Sequence, residues 1–241
     1  GKNGLKYTMA DKDGLFRAGH RERLKDKMLD DKLTSYEKLE LLLTYAIPRR
    51  DVRPLARALM ARFGGVYFVI TAPYSELDRV SGVGRNTALL IKLVGELMLV
   101  SYRERVTDGQ SLINPAVLKE YCRRLVVGKS VEEFYVLYFG NEMRLLKTEL
   151  HNRGTVNYTE VYPREILKQA LALNAVNVVL VHNHPLSDNS FSTEDINMTN
   201  AIETKLNEFN IGLWTHYVVT ANGIVHDIRA TAWLKKSAFF E

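Results

Sequence analysis

The sequence contains almost no cysteine and no long apolar run. Its 241 residues include one cysteine, Cys122, which excludes an internal disulfide and a metal cage built from thiolates. Any metal must therefore be held by nitrogen and oxygen ligands. No apolar run reaches the ~18 residues that span a bilayer, and the N-terminus lacks the apolar region of a secretory signal. We therefore expect a soluble protein of the reducing cytoplasm without a membrane partner.

Basic residues are unevenly distributed in a composition that is otherwise ordinary for a globular protein of one or two domains. Residues 1–110 carry 20 Lys and Arg against 14 Asp and Glu, a balance of +6, whereas residues 111–241 carry 13 against 14, a balance of −1. The basic half is the candidate for phosphate contact, although moderate positive charge is also common on proteins that bind no nucleic acid.

The first half of the chain has helical patterns. Residues 1–18 lack periodicity and are predicted to be a flexible leader that can contact substrate. Residues 19–106 predict an all-α domain, in which one helix is capped near Thr34 and another ends at Gly64. The last helix carries a stripe that we expect to be buried, formed by Leu89, Leu93 and Leu97. Turn-like composition predicts a linker at residues 107–114.

Residues 115–241 alternate between helix and strand patterns and predict an α/β domain. Strands are expected in EEFYVLYFG, MRLLKTELH, VNYTEVY, LWTHYVVT and GIVHD, and helices at 115–126, in REILKQALAL and at 193–209. The run VNVVLVHNH is rich in β-branched residues and is followed by Pro185. This pattern is typical of a buried strand that ends at a functional loop.

The segment VHNHPLSDNSFSTED has the spacing of a metal site. His182 and His184 are two residues apart at the end of a strand, so their side chains project from one face. After ten intervening residues, Asp195 can return a carboxylate to the same point from the first turn of the next helix. Three such ligands leave the fourth tetrahedral position open, as a catalytic zinc requires. We interpret three other histidines as structural or surface residues: His151, His216 and His226.

Two further groups are candidates for the chemistry. The Ser192 hydroxyl could donate a hydrogen bond to a developing oxyanion, but Ser192 and Asp195 also fit a capping box that opens the helix. A base that is not a metal ligand is also needed. Glu133 is the candidate, although the residues alone leave comparably placed alternatives open: Glu132, Glu160 and Glu165.

This segment resembles the zinc motif of the JAMM, or MPN-type, metalloproteases. The family pattern maps onto His182, His184, Pro185, Ser192 and Asp195, and EEF at 132–134 matches its Glu–Phe strand. The resemblance implies that Glu133 is the base, that each chain holds one zinc, and that peptide or isopeptide bonds are cleaved. It also implies a cytidine-deaminase-like α/β sandwich of the JAMM/MPN type at 115–241.

Several motifs in order resemble the bacterial RadC family over nearly the whole chain: GHRERL, ELLLTYAIPRRDVRPLA, SGVGRNTALLIKL, EVYPREILKQAL and HNHP. Two positions depart from that family. Leu186-Ser187-Asp188 replaces the usual Ser-Gly-Asp, and the loss of glycine can restrict the loop. Thr215 precedes His216 where the family tends to have Asp.

SGVGRNTALLIKL also looks like a helix-hairpin-helix element. Gly82 and Gly84 permit a tight turn whose N–H groups can bind a DNA phosphate, with charge added by Arg85 and Lys92. Alternatively, the hairpin only packs helices or docks a protein. Two rival functions therefore accompany the hydrolase: a nuclease of DNA repair or recombination, and a DNA- or protein-binding module whose zinc site is not catalytic.

Overall fold

The computed structural model describes residues 9–107, 114–141, 144–154 and 162–230, with side chains described from residue 19 onward. The chain divides into two compact units, Gly1–Gly95 and Glu96–Glu241. No helix in the described ranges combines the length and apolarity needed to cross a bilayer.

The first unit is helical, as predicted. Its helices are α1 (Met9–Leu29), α2 (Ser35–Ala46), α3 (Arg53–Phe63), α4 (Val66–Thr71), α5 (Tyr74–Asp78) and α6 (Arg85–Thr107), the last of which continues into the second unit. The predicted cap of α2 is confirmed: Glu37 N–H donates to Thr34 Oγ1 over 3.2 Å, and the Glu37 carboxylate accepts the Thr34 N–H over 2.9 Å. Helix α3 ends at Gly64, whose φ of 83° is left-handed.

The predicted burial of the α6 leucine stripe is wrong. Leu89, Leu93 and Leu97 are 48%, 54% and 58% exposed, whereas Ala88 and Ile91 are fully buried. The leucines and the two buried residues both recur at helical spacing. Periodicity alone does not reveal which of these two sides of the helix packs against a neighbouring element. The packed side of α6 is therefore the one with Ala88 and Ile91.

The observed boundaries differ from the expected domain limits. Helix α1 begins at Met9, inside the range expected for the leader, because the segment is rich in strong helix formers although its apolar residues have no period. The division between units falls inside α6, and that helix continues to Thr107, where the expected linker begins. Residues 108–113 lie outside the described ranges, so the linker stays a prediction.

The second unit has the predicted α/β character. Its elements are α7 (Pro115–Val126), β1 (Glu133–Phe139), β2 (Leu145–Arg153), α8 (Pro163–Ala172), β3 (Asn177–Asn183), α9 (Thr193–Asn207), β4 (Gly212–Val219) and β5 (Val225–Asp227). The sheet has the order β2-β1-β3-β4-β5, with β3 and β4 parallel and the other neighbours antiparallel. The α/β fold class with an all-α N-terminal part is confirmed. The strand expected in VNYTEVY falls almost entirely on 155–161, outside the described residues, as does Glu160.

Alternation along β1 and β3 determines which side chains meet the helices. Phe134 and Leu180 lie in one buried cluster with Ile166 of α8 and Ile202 of α9. Helix α7 contacts β3 and β4 on the other face. Because Phe134 is paired in register with His182, the functional end of β3 faces α8 and α9.

Candidate metal centre

Three side chains from β3, the following loop and α9 converge. His182 Nε2 lies 3.1 Å from Asp195 Oδ1 and 3.1 Å from His184 Nε2, and His184 Nε2 lies 3.5 Å from Asp195 Oδ2. Potential ligand atoms of the three residues all lie within 4.8 Å of one another. The structure thus brings together the three residues selected by their spacing.

The backbone explains this convergence. His184 N–H donates to Val219 O over 2.8 Å, so pairing with β4 continues one residue beyond β3 before Pro185 ends it. His182 and His184 therefore remain in strand alternation and project to the same side. Asp195 occupies the first turn of α9 and reaches the same point from the helix that covers this face.

The orientation of His184 fits a metal ligand. Its Nδ1 lies 3.3 Å from Asn189 O, and a carbonyl only accepts, so Nδ1 carries the hydrogen and Nε2 presents its lone pair. That lone pair faces a carboxylate and a second imidazole, an arrangement that needs a cation or an extra proton between them. Two imidazole nitrogens and one carboxylate oxygen form a donor set suited to zinc with one open position.

The Asp195 carboxylate performs two tasks with two oxygens. Its Oδ2 accepts from Ser192 N–H over 2.7 Å and from Ser192 Oγ over 2.8 Å, while Ser192 Oγ accepts the Asp195 N–H over 3.1 Å. Its Oδ1 faces His182. Burial alone would raise the pKa of Asp195, but the adjacent imidazoles of His182 and His184, together with the Ser192 N–H, outweigh it and hold that pKa well below its usual range. The capping box and the ligand role are therefore compatible.

Comparison with known proteins places this chain among its relatives. Residues 112–230 match a family model described as RadC, a RadC-like JAB domain. The chain is also 36% identical over 224 residues to UPF0758 protein FN0909 of Fusobacterium nucleatum subsp. nucleatum, covering 89% of this chain and 95% of that protein. The chain belongs to the RadC family. The resemblance drawn from its motifs is confirmed, and the His182, His184 and Asp195 cluster supports a metal site of the JAMM type in this RadC protein.

Glu133 is not among the residues that line the cavity of this centre, so the structure does not support its prediction as the base. Its side chain is buried on the opposite face of β1 from Phe134, where it accepts a hydrogen bond from Tyr135 Oη over 2.9 Å. Its carboxylate also pairs with Lys129 Nζ at 3.5 Å and Arg153 Nε at 3.4 Å. Adjacent strand residues point to opposite faces of the sheet. Glu133 and its neighbour therefore cannot both face the candidate metal centre.

The neighbour, Glu132, lines the cavity that also contains the three candidate metal ligands. This cavity has a volume of about 880 Å³ and is also lined by Val131, Gly154, Pro185, Leu186, Phe191, Ser192, Glu194 and Met198. Asn183 fixes the segment that carries Glu132: its Oδ1 accepts Glu133 N–H over 2.8 Å and its Nδ2 donates to Val131 O over 3.0 Å. Asn183 thus ties the segment around Glu132 to the strand that carries the histidine pair.

The two departures from the RadC pattern have structural explanations. Among the described residues, positive φ angles do not include Ser187, so the missing glycine is not required by the backbone here. Ser187 O accepts Ala221 N–H over 3.0 Å, and Leu186 is 94% exposed beside the cavity. Thr215 donates to Asp227 Oδ1 over 2.7 Å, so its hydroxyl is directed toward β5.

His216, which the sequence predicts to be a structural or surface residue, lies beside the candidate centre. It is fully buried, and its Nε2 lies 2.8 Å from His182 Nδ1. Burial lowers the pKa of His216 well below its ordinary value, and the neighbouring His182 lowers it further. Of the two predicted alternatives, burial therefore favours a structural histidine over a surface one.

The hairpin residues lie at the start of α6 in the first unit. Gly82 has a φ of 92°, which is left-handed and favours glycine, and Arg85 is the first residue of α6. A shallow cavity of about 320 Å³ is lined by three of the predicted DNA-binding residues, Gly82, Gly84 and Arg85. Its other lining residues are Ala46, Ile47, Arg50, Asn86 and Thr87. Lys92 lies about two turns further along the helix and is not among the lining residues. The tight turn is therefore present, and its ligand stays a prediction.

Proposed function

We propose that this RadC protein is a zinc-dependent hydrolase that cleaves peptide or isopeptide bonds at the His182, His184 and Asp195 centre. The convergence of three acceptor atoms on one point, in a cavity wall that also carries a carboxylate, supports this function most strongly. The cavity volume of about 880 Å³ is large enough for a peptide segment, because ligand sites of several hundred Å³ are common.

Zinc, when bound, acts as a Lewis acid that polarises a carbonyl and lowers the pKa of water. The remaining steps belong to side chains of this protein. Glu132 accepts the proton from the attacking water and returns it to the leaving amine. Ser192 donates to the oxyanion. The cap survives when this hydroxyl turns toward the substrate, because Ser192 N–H still donates to Asp195 Oδ2.

A nuclease is less well supported. Within the described ranges, His182, His184 and Asp195 form the one group of metal-ligating side chains able to share an ion. Phosphodiester cleavage in nucleases often uses two metals about 3.5–4 Å apart. A single site with one carboxylate ligand fits amide hydrolysis better.

The adjacent glutamates provide a matched test. Purified protein should contain about one zinc per chain, as the three-ligand set requires, and should cleave members of a pool of internally quenched peptides and isopeptide-linked peptides. Glu132→Gln should abolish cleavage and retain zinc, whereas Glu133→Gln should retain both. His184→Ala should lose the zinc. Cleavage that survives Glu132→Gln would refute the role of Glu132, and a full zinc content in His184→Ala would remove His184 from the site.

A second function, binding of the DNA backbone by the first unit, is favoured by the left-handed turn at Gly82 and the cavity beside the α6 N-terminus. Backbone contacts of this kind are independent of sequence and weaken steeply with salt. Arg85→Ala should lower the affinity for a mixed-sequence duplex and reduce its salt slope by about 1, while Lys38→Ala on α2 should not. Equal slopes for all three proteins would argue against this function.

A further inference from the structure

We propose that His216 and Thr199 are positioning residues that hold His182 in the tautomer able to bind zinc. The proposal rests on the metal site proposed above but not on hydrolysis. Its evidence is a continuous chain of three hydrogen bonds that starts at the main chain of one ligand, Asp195, and ends at the ring of another, His182.

This chain of hydrogen bonds is buried along its whole length. Thr199 lies one turn after Asp195 in α9, and its Oγ1 donates to Asp195 O over 2.6 Å. The same Oγ1 lies 2.7 Å from His216 Nδ1, and His216 Nε2 lies 2.8 Å from His182 Nδ1. Thr199, His216 and His182 are 2%, 0% and 1% exposed. Water therefore does not compete for these bonds.

Counting hydrogens gives the direction of each bond. A threonine hydroxyl has one hydrogen, and Thr199 gives it to Asp195 O, which can only accept. Thr199 Oγ1 must then accept from His216 Nδ1–H. A neutral imidazole carries one ring hydrogen, so His216 Nε2 accepts. His182 Nδ1 must donate to it, and the lone pair of His182 is left on Nε2, the atom that faces Asp195 and His184.

The hydrogen-bond chain therefore links two candidate ligands in the absence of a metal ion. It connects α9, β4 and β3, so the elements that carry Asp195 and His182 cannot shift independently without breaking a buried hydrogen bond. Loss of partners of this kind typically lowers metal affinity 10–100-fold. We expect this loss of metal affinity when Thr199 is substituted, although Thr199 is not itself among the candidate ligands.

Thr199→Val tests the donor-to-acceptor direction of these hydrogen bonds, because it keeps the shape of the side chain and removes the hydroxyl. His216 Nδ1–H then has no acceptor, which favours the opposite tautomer of His216. That tautomer donates from Nε2 to His182 Nδ1 and moves the His182 hydrogen to Nε2, where zinc should bind. We expect the zinc Kd, measured by competition with a chromogenic chelator, to rise about 10-fold or more.

Two variants serve as controls. Thr199→Ser keeps the hydroxyl and should bind zinc like the wild type. Thr204→Val removes the equivalent bond to a preceding turn of α9, which Thr204 Oγ1 makes to Asn200 O over 2.8 Å, but does so at an exposed site. It should leave the zinc Kd unchanged. A wild-type zinc Kd in Thr199→Val, or an equal loss in Thr204→Val, would overturn the proposal.

A measurement on the wild type covers the case in which Thr199→Val does not fold. Long-range ¹H–¹⁵N spectra distinguish the two neutral histidine tautomers. We expect His216 and His182 both to carry hydrogen on Nδ1, and hydrogen on Nε2 of His216 would overturn the proposal. If the wild type binds no zinc, the proposed function fails, yet these spectra still test the hydrogen-bond chain.

Discussion

At the scale of single residues, Asp195 explains how a helix cap and a metal ligand can be the same side chain. Its two oxygens are directed to different partners, one to Ser192 and one to His182. The cap holds the carboxylate in place, which lowers the conformational entropy that metal binding would otherwise have to overcome. The loop before α9 is therefore anchored at the residue that completes the candidate ligand set.

Ser192→Ala should separate the cap from the ligand. The variant loses the hydroxyl that accepts Asp195 N–H, and caps of this type contribute about 1 kcal/mol to the free energy of unfolding. Urea denaturation of the metal-free protein measures the loss, and zinc content should remain near that of the wild type. Unchanged stability would show that the cap contributes nothing here.

At the scale of elements, the start of β1 is held by β3 through Asn183. This residue follows His182 in β3, and its side chain binds the main chain on both sides of Glu132. The histidine pair and the proposed base are thus positioned by the same three-residue segment of the chain. The sheet itself sets the separation between the metal centre and Glu132.

Asn183→Ala should leave Glu133 N–H and Val131 O without these partners. An unsatisfied buried donor costs about 1–3 kcal/mol, so the free energy of unfolding should fall by that amount. Zinc binding should be retained, because the ligands are unchanged, while cleavage should fall as Glu132 loses its fixed position. A variant with wild-type cleavage would contradict the positioning role of Asn183.

Helix α6 provides a second prediction at this scale. Ile91 is fully buried and Leu93 is 54% exposed, although both are apolar residues of one helix. Ile91→Ala should destabilise the protein by about 2–5 kcal/mol through lost contacts and a cavity. Leu93→Ala should change stability by no more than about 0.5 kcal/mol. Chemical denaturation of both variants makes the comparison, and similar losses would mean that the leucine stripe is covered.

At the scale of the whole molecule, the sites proposed for zinc and for DNA belong to different units of the chain. The hairpin lies within Gly1–Gly95 and the metal centre within Glu96–Glu241. The uneven charge agrees with this division, because the basic excess belongs to residues 1–110. Chelation should therefore act on one unit more than on the other.

Removal of zinc should destabilise the unit that contains the sheet. An ion present at 100 times its Kd adds about 2.7 kcal/mol to the free energy of unfolding of the state that binds it. Trp214 lies in β4 of the unit Glu96–Glu241, so its fluorescence reports this unit during thermal unfolding. Chelator should lower that transition in the wild type. An equal shift in His184→Ala would contradict zinc binding at this centre.

Some features of this protein were determined by the sequence alone. Strand alternation and loop length were enough to select His182, His184 and Asp195, because these rules relate residues within about fifteen positions of one another. The helical first half and most strands followed from local periodicity. RadC membership followed from motifs that stand in order along the chain.

Other features were decided only by the tertiary structure. Adjacent Glu132 and Glu133 have the same chemistry, and only the packing of α8 and α9 on one face of the sheet distinguishes them. His216 reaches His182 through the pairing of β3 with β4, across 34 positions of sequence. Local rules state that side chains alternate or recur, but the neighbour that buries one face comes from distant parts of the chain.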